Sequence, residues 1–331
     1  MELALAARPA RIIALVDQSS SMSAALIWDP GHSRWQEAAA GVEHLANEAA
    51  SRGFELGLDG FPDGSLDYFE DCHDECCADP ACMMSQYARC TALSIRCDRN
   101  CTVDLPPIIP LAEADVSGPQ MIDYMSLAYL PGIYTHTPLV EQLGYYLEDR
   151  SAEMPGFYAG DGRSFLVLIT DGEDSCFDTS ETPDIPAIVA ELARLASALV
   201  DTRGIRLVPI GIGENTGNMA DELDAIAAHG GTGYTSFFPV DQDGQLEAVL
   251  SVIAESFTSC VFDADPPDGI ADPETVRIEL GGVEQAFDPG CADGWRWAAD
   301  STPEAPRIEL CGAACQAVKG GQVELSGRSG C

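Results

Sequence analysis

Residues Ile12-Ile13-Ala14-Leu15-Val16-Asp17-Gln18-Ser19-Ser20-Ser21 decide the fold. Five consecutive apolar residues read as a strand buried on both faces, the pattern of a parallel sheet. The run ends on an aspartate followed by serines. Asp17, Ser19 and Ser21 bring three oxygens, and neither nitrogen nor sulfur, into one short loop. That donor set suits a hard cation such as Mg²⁺. A D-x-S-x-S match alone is weak, because serine-rich turns after strands are common. Two later pieces complete it. Thr137 lies in Thr135-His136-Thr137-Pro138-Leu139, just before a helical pattern, and Asp171 ends the second apolar run, Phe165-Leu166-Val167-Leu168-Ile169-Thr170-Asp171-Gly172.

In that order, the three pieces resemble the metal-ion-dependent adhesion site of the von Willebrand factor A family: D-x-S-x-S, a Thr in a T-P-L turn, and a strand ending T-D-G. Asp17, Ser19, Ser21, Thr137 and Asp171 fill all five positions, and the resemblance spans about residues 10–260. It implies a doubly wound, Rossmann-like α/β domain holding one Mg²⁺ or Mn²⁺. It also implies a partner protein whose exposed Asp or Glu completes the ion's shell.

The rest of the chain agrees with an alternating α/β pattern. Helical spacing runs from Trp35 to Ala46, from Ile122 to Tyr129, from Leu139 to Leu147, over Ile185–Val200, at Leu223–Ala227 and from Leu246 to Phe257. Strands are expected at Phe54–Asp59, Ile205–Gly213 and Tyr234–Val240. Open α/β sheets bind ligands at the carboxyl ends of their strands, where Asp17 and Asp171 both fall.

Between residues 62 and 101 the pattern breaks. Cys72, Cys76, Cys77, Cys82, Cys90, Cys97 and Cys101 crowd a segment poor in aliphatics, which reads as a disulfide-stapled insert. Zinc fits less well, since the spacings lack C-x-x-C pairs and His73 is the only histidine there. The family topology implies an edge hairpin whose insert leaves from the metal face. Cys176, on that face, is then a candidate eighth cysteine, and Tyr68, Phe69, Tyr87 and Arg89 are candidates for a wall of the ligand site. Residues 261–331 alternate in short runs, such as Val276–Leu280, Trp295–Trp297, Arg307–Leu310 and Val323–Leu325. With Cys260, Cys291, Cys311, Cys315 and Cys331 they predict a small β module holding two disulfides and one unpaired thiol. The terminal Gly-Trp and cysteine pattern resembles secreted A-domain proteins of myxobacteria and similar bacteria.

Charge and cysteine narrow the function. With 54 acidic and 17 basic residues the net charge is −37, which repels nucleic acid. Thirteen cysteines are too many for a reducing cytosol, so export is expected. Met1–Arg8 lacks the basic segment and apolar length of a signal peptide, which reads as a mature fragment or a start placed too late. No apolar run reaches the ~20 residues of a spanning helix, so any membrane association needs an anchor outside this chain. Phosphate-loop, zinc-protease and nucleophile-elbow motifs are missing, and Ser19–Ser21 lack an adjacent base. The expectation is therefore a secreted or surface adhesion protein, not an enzyme. An intracellular subunit of an ATPase or chelatase-type complex, disfavoured by the cysteines, is the first alternative. A metal-assisted hydrolase, disfavoured by the missing base, is the second.

Overall fold

The computed structural model describes residues 2–62, 101, 103, 106–127, 136–177, 183–213, 218–265, 276–302, 305–319 and 325–329. Cys72, Cys76, Cys77, Cys82, Cys90, Cys97 and Cys331 lie outside them, as do Tyr68, Phe69, Tyr87 and Arg89. Among the described residues two compact units are resolved, one drawn from 11–50 and 54–250, the other from 1–10, 51–53 and 251–331.

The larger unit is built on a six-stranded sheet. Its strands are β2 (Arg11–Asp17), β3 (Glu55–Phe61), β4 (Ile109–Glu113), β5 (Ser164–Thr170), β6 (Ile205–Ile212) and β7 (Phe238–Val240), in the order β4-β3-β2-β5-β6-β7. All pairings are parallel except β3 with β4. Every residue of β2 and β5 is buried, so the unbroken apolar runs are those of strands covered on both sides.

Six helices belong to this pattern: α1 (Arg34–Ser51), α2 (Ala114–Met125), α3 (Leu139–Leu147), α4 (Ile185–Ala198), α5 (Asn218–His229) and α6 (Gln245–Phe257). Ile13 and Leu15 of β2 join Leu166 and Leu168 of β5 in one core with Leu143 and Tyr146 of α3, Leu192 of α4 and Leu223 of α5. Strand alternation sends Ile12, Ala14 and Val16 to the opposite face. There the indole N–H of Trp35 in α1 donates to the Met125 carbonyl of α2 at 3.1 Å, and Gly41 of α1 faces Leu246 and Leu250 of α6.

One buried polar contact ties α3 to the sheet. Asp59 of β3 accepts from the Tyr146 hydroxyl at 2.6 Å, the Gln142 amide at 3.1 Å and the Gly60 N–H at 2.9 Å. Burial nevertheless raises its carboxyl to about 6.

Strand β4 completes the edge hairpin that the family resemblance implied, although no residues were assigned to it from local pattern because Pro110 sits within it. As an edge strand, antiparallel to β3, it has room for a residue that cannot donate to a ladder. β7 is shorter than the expected Tyr234–Val240. The chain leaves β3 at Phe61, the register partner of Asp17, so residues 62 onward depart from the end of the sheet that carries Asp17.

The second unit contains β1 (Glu2–Ala7), β8 (Val261–Asp265), β9 (Val276–Leu280), β10 (Val283–Gln285), β11 (Gly294–Trp297), β12 (Arg307–Cys311), β13 (Leu325–Ser329) and α7 (Gly312–Lys319). Its sheet runs β10-β9-β13-β1-β8-β12-β11, with antiparallel pairing throughout. Leu3, Phe262, Ile278, Trp295, Ile308 and Ala314 form its core. Disulfides Cys260–Cys315 and Cys291–Cys311 staple it, so four of the five C-terminal cysteines are paired. β1 is the unforeseen member. It sits at the centre of the sheet, pairing with β13 through Glu2 and Leu3 and with β8 through Ala4–Ala7.

Candidate metal centre

The order of the larger sheet reverses beside β2. The chain goes from β2 to β3 on one side and returns with β5 on the other, so the carboxyl ends of β2 and β5 form the switch point where open α/β sheets place ligands. Asp17 ends β2, and Asp171 follows β5 directly.

The loop after β2 is braced from several sides. The Gln18 N–H donates to the Phe61 carbonyl at 2.7 Å, and its side-chain amide donates to the Tyr124 hydroxyl at 3.0 Å. Glycine at position 60 leaves room for the Gln18 side chain, since a Cβ there would lie 1.7 Å from its amide nitrogen and would displace it. A short 3-10 turn at Ser20–Ser23 then buries Met22 and turns the hydroxyls of Ser19 and Ser21 together.

Hydrogen bonds link these groups in series, with the Ser19 backbone N–H joining Asp17 to the serine loop. The Thr170 hydroxyl donates to Asp17 Oδ2 at 2.6 Å, and the Ser19 N–H donates to Asp17 Oδ1 at 2.7 Å. Ser19 and Ser21 share a hydroxyl hydrogen bond of 2.8 Å, and the Ser21 hydroxyl donates to Asp171 Oδ1 at 2.7 Å. Asp171 Oδ2 accepts from the Arg34 guanidinium. Four of the five expected residues are thus joined directly. Thr137 is buried beside them. Its hydroxyl oxygen would be 3.1 Å from a Cβ on Gly172, and its backbone is clasped by Ser175 through two hydrogen bonds of 2.8 and 3.0 Å. His136, next to it, is half-buried.

Both carboxylates are enclosed: Asp17 is 0% exposed, and so is the Asp171 side chain. Burial, reinforced by the charge of Asp171, raises the Asp17 carboxyl well above the usual carboxylate range. Burial raises Asp171 too, against the opposing hydrogen bonds from Arg34 and Ser21. Two buried carboxylates held among hydroxyls, with no nitrogen or sulfur ligand, fit a hard divalent cation. Among the described residues no three His, Cys, Asp or Glu side chains are grouped to hold a metal ion. The set at Asp17 is of another kind, two carboxylates completed by hydroxyls.

The loop after Asp171 carries residues that sequence reasoning missed. Asp174 accepts from the N–H groups of Cys176 and Phe177 at 3.0 and 2.8 Å and from Val140 at the start of α3 at 2.9 Å. Its own N–H donates to Glu222 of α5 at 2.7 Å. Cys176 is bonded to Cys101, so the expected extra partner for the cysteines of residues 62–101 is found on the loop after Asp171. Arg34 and Glu222 carry no local signal, because their partners Asp171 and Asp174 are distant in sequence.

Glu222 is fully buried, and burial first, then the neighbouring acids, raise its carboxyl to about 8. The folded protein therefore binds more protons than the unfolded chain between about pH 4.3 and 8, and stability falls as pH rises through that window. Glu222→Gln keeps an acceptor for Asp174 and removes the charge. It is expected to raise Tm near pH 9 by about 3 °C or more and to change it little near pH 5. Thermal scans at both pH values check this, and a lower Tm for the variant near pH 9 would refute it.

No protein-family model matches the sequence, and no curated protein is similar to it. Solved structures with a similar course of the chain include the conserved hypothetical protein BatB of Bacteroides thetaiotaomicron, at 16% identity and a TM-score of 0.43, over 74% of this chain and 97% of that one. An aerotolerance-related membrane protein of Bacteroides fragilis aligns at 14% identity and 0.40, with the same two coverages. The manganese-loaded TRAP protein of Plasmodium vivax aligns at 13% identity and 0.39, over 94% of this chain and 98% of that one.

Proposed function

We propose that this chain is an A-domain-type binding protein that engages a carboxylate of a partner protein through a divalent cation. The observation that carries the reading is the run of hydrogen bonds from the Thr170 hydroxyl through Asp17, the Ser19 N–H and hydroxyl and Ser21 to Asp171, at the switch point of the sheet. Asp17, Ser19, Ser21, Thr137 and Asp171 would hold Mg²⁺ or Mn²⁺. Bound there, the ion supplies an electrophilic position for an Asp or Glu oxygen of the partner. The protein's residues orient that position: Thr170 and the Ser19 N–H fix Asp17, and Ser175 fixes Thr137.

The role is read as binding rather than catalysis: the one carboxylate that accepts from a serine hydroxyl, Asp171, is itself paired with the Arg34 guanidinium. The large negative charge does not oppose an acidic partner at contact range, since exposed charges are screened beyond ~8 Å at physiological salt. Three disulfides support an oxidising, extracytoplasmic setting.

The test is affinity capture from the surface and secreted proteins of the source cells, with Mn²⁺ and with EDTA. A protein retained with Mn²⁺, eluted by EDTA and lost when its acidic residue is replaced by the amide supports the reading. Capture indifferent to EDTA sinks it.

A further inference from the structure

Resting on that reading of the site, we propose that Arg34 is a resident cation that competes with the divalent ion for Asp171 and so sets the site's metal affinity. Arg34 is the first residue of α1, and its N–H donates to the Ala24 carbonyl at 3.0 Å, which pins it to the end of the serine loop. Its guanidinium donates to Asp171 Oδ2 while Ser21 holds Oδ1, so both oxygens of this carboxylate already carry a donor.

The guanidinium has a slot of its own. Gly213, just past β6, takes φ of +101°, and a Cβ there would lie 3.0 Å from Arg34 Nε and 3.3 Å from Cζ. The fit is incomplete, since Nε is buried with no hydrogen-bond partner among the described residues. An enclosed N–H without an acceptor is costly, so the guanidinium is held there by its charge on Asp171 and is open to displacement by a stronger cation.

The charges set the direction of the effect. Asp17 and Asp171 together carry two negative charges when ionised, and Arg34 returns one. A divalent ion entering beside Arg34 meets a like charge and must share or take over Asp171. With a neutral residue at position 34 the two carboxylates match a divalent ion in charge. The Arg34–Asp171 pair then also stabilises the metal-free protein, because a buried carboxylate stripped of its counter-charge is strongly destabilising.

The experiment is a Mn²⁺ titration, followed by the electron paramagnetic resonance signal of the free ion, on the wild-type protein, R34Q, R34K and D17A. R34Q is expected to bind Mn²⁺ about tenfold more tightly than wild type or better, R34K to stay within about threefold of wild type, and D17A to bind none. Wild-type uptake that R34Q fails to exceed overturns the role of Arg34 and leaves the metal site standing. No uptake by any Arg34 form, or equal uptake by D17A, overturns the site and the proposal with it. If R34Q is unstable without metal, thermal unfolding in saturating Mn²⁺ and in EDTA makes the same comparison. The proposal requires a larger upward Tm shift for R34Q than for wild type, and an equal or smaller shift overturns it.

Discussion

Asp17→Ala is expected to abolish Mn²⁺ binding, by at least about a hundredfold in Kd, while the fold stays in place. Asp17 sits at the end of a fully buried central strand and is itself 0% exposed. Its two oxygens face Ser19 and Thr170, and no neighbouring side chain in the loop supplies a replacement carboxylate. Stability is expected to change little because two effects oppose one another. The substitution leaves the Thr170 hydroxyl and the Ser19 N–H without an acceptor, a loss of about 1–3 kcal/mol for a buried donor. It also removes a carboxylate that burial and Asp171 hold in an unfavourable environment. Calorimetric titration with Mn²⁺ beside a thermal melt checks both halves. Equal Mn²⁺ binding by the variant would show that the ion is held elsewhere. A collapse of the melt would show that Asp17 serves the core rather than a ligand.

Reduction of the disulfides is expected to release the β module while the α/β sheet keeps its protection. Cys260–Cys315 and Cys291–Cys311 span 55 and 20 residues. Closing loops of such size contributes about 3–4 kcal/mol each on the chain-entropy account, a large share of the roughly 5–15 kcal/mol that holds a typical domain. The module core is small, centred on Trp295, Ile278 and Ile308. The six-stranded sheet has no disulfide among its strands and draws on a much larger apolar core. Hydrogen exchange read by mass spectrometry, with and without a phosphine reductant, separates the two. Peptides covering β9, β11 and β12 are expected to lose protection first, and those covering β2, β5 and β6 last. Simultaneous loss in both sets, or earlier loss in the sheet, would refute this.

The sequence by itself pointed to the α/β class of the larger unit and named the residues proposed as an oxygen-only donor set. Unbroken apolar runs at Ile12–Val16 and Phe165–Ile169, alternating with helical patterns along the chain, are the signature of strands buried on both faces of a parallel sheet. The order Asp17, Ser19, Ser21, Thr137, Asp171 was legible because each residue sits at a strand end or turn marked by its own neighbours. The edge hairpin was implied by resemblance alone, and the residues of β4 were not marked locally because Pro110 argues against a strand unless an edge position is known. β1 escaped because its pairing partners lie more than 250 residues away in the chain, at Ala264 and Gly327.

What only the tertiary structure decided is the electrostatics of the site. A carboxylate's proton affinity and its counter-ion depend on enclosure and on charges within a few ångströms. Neither is a property of local sequence. Arg34 lies 137 positions from Asp171 yet pairs with it, Asp174 meets Glu222 across 48, and Cys101 reaches Cys176 across 75. The chain encodes which oxygens gather at the end of β2 through local pattern. Which cation they hold at rest, and how tightly, follows from contacts that exist only once the strands are side by side.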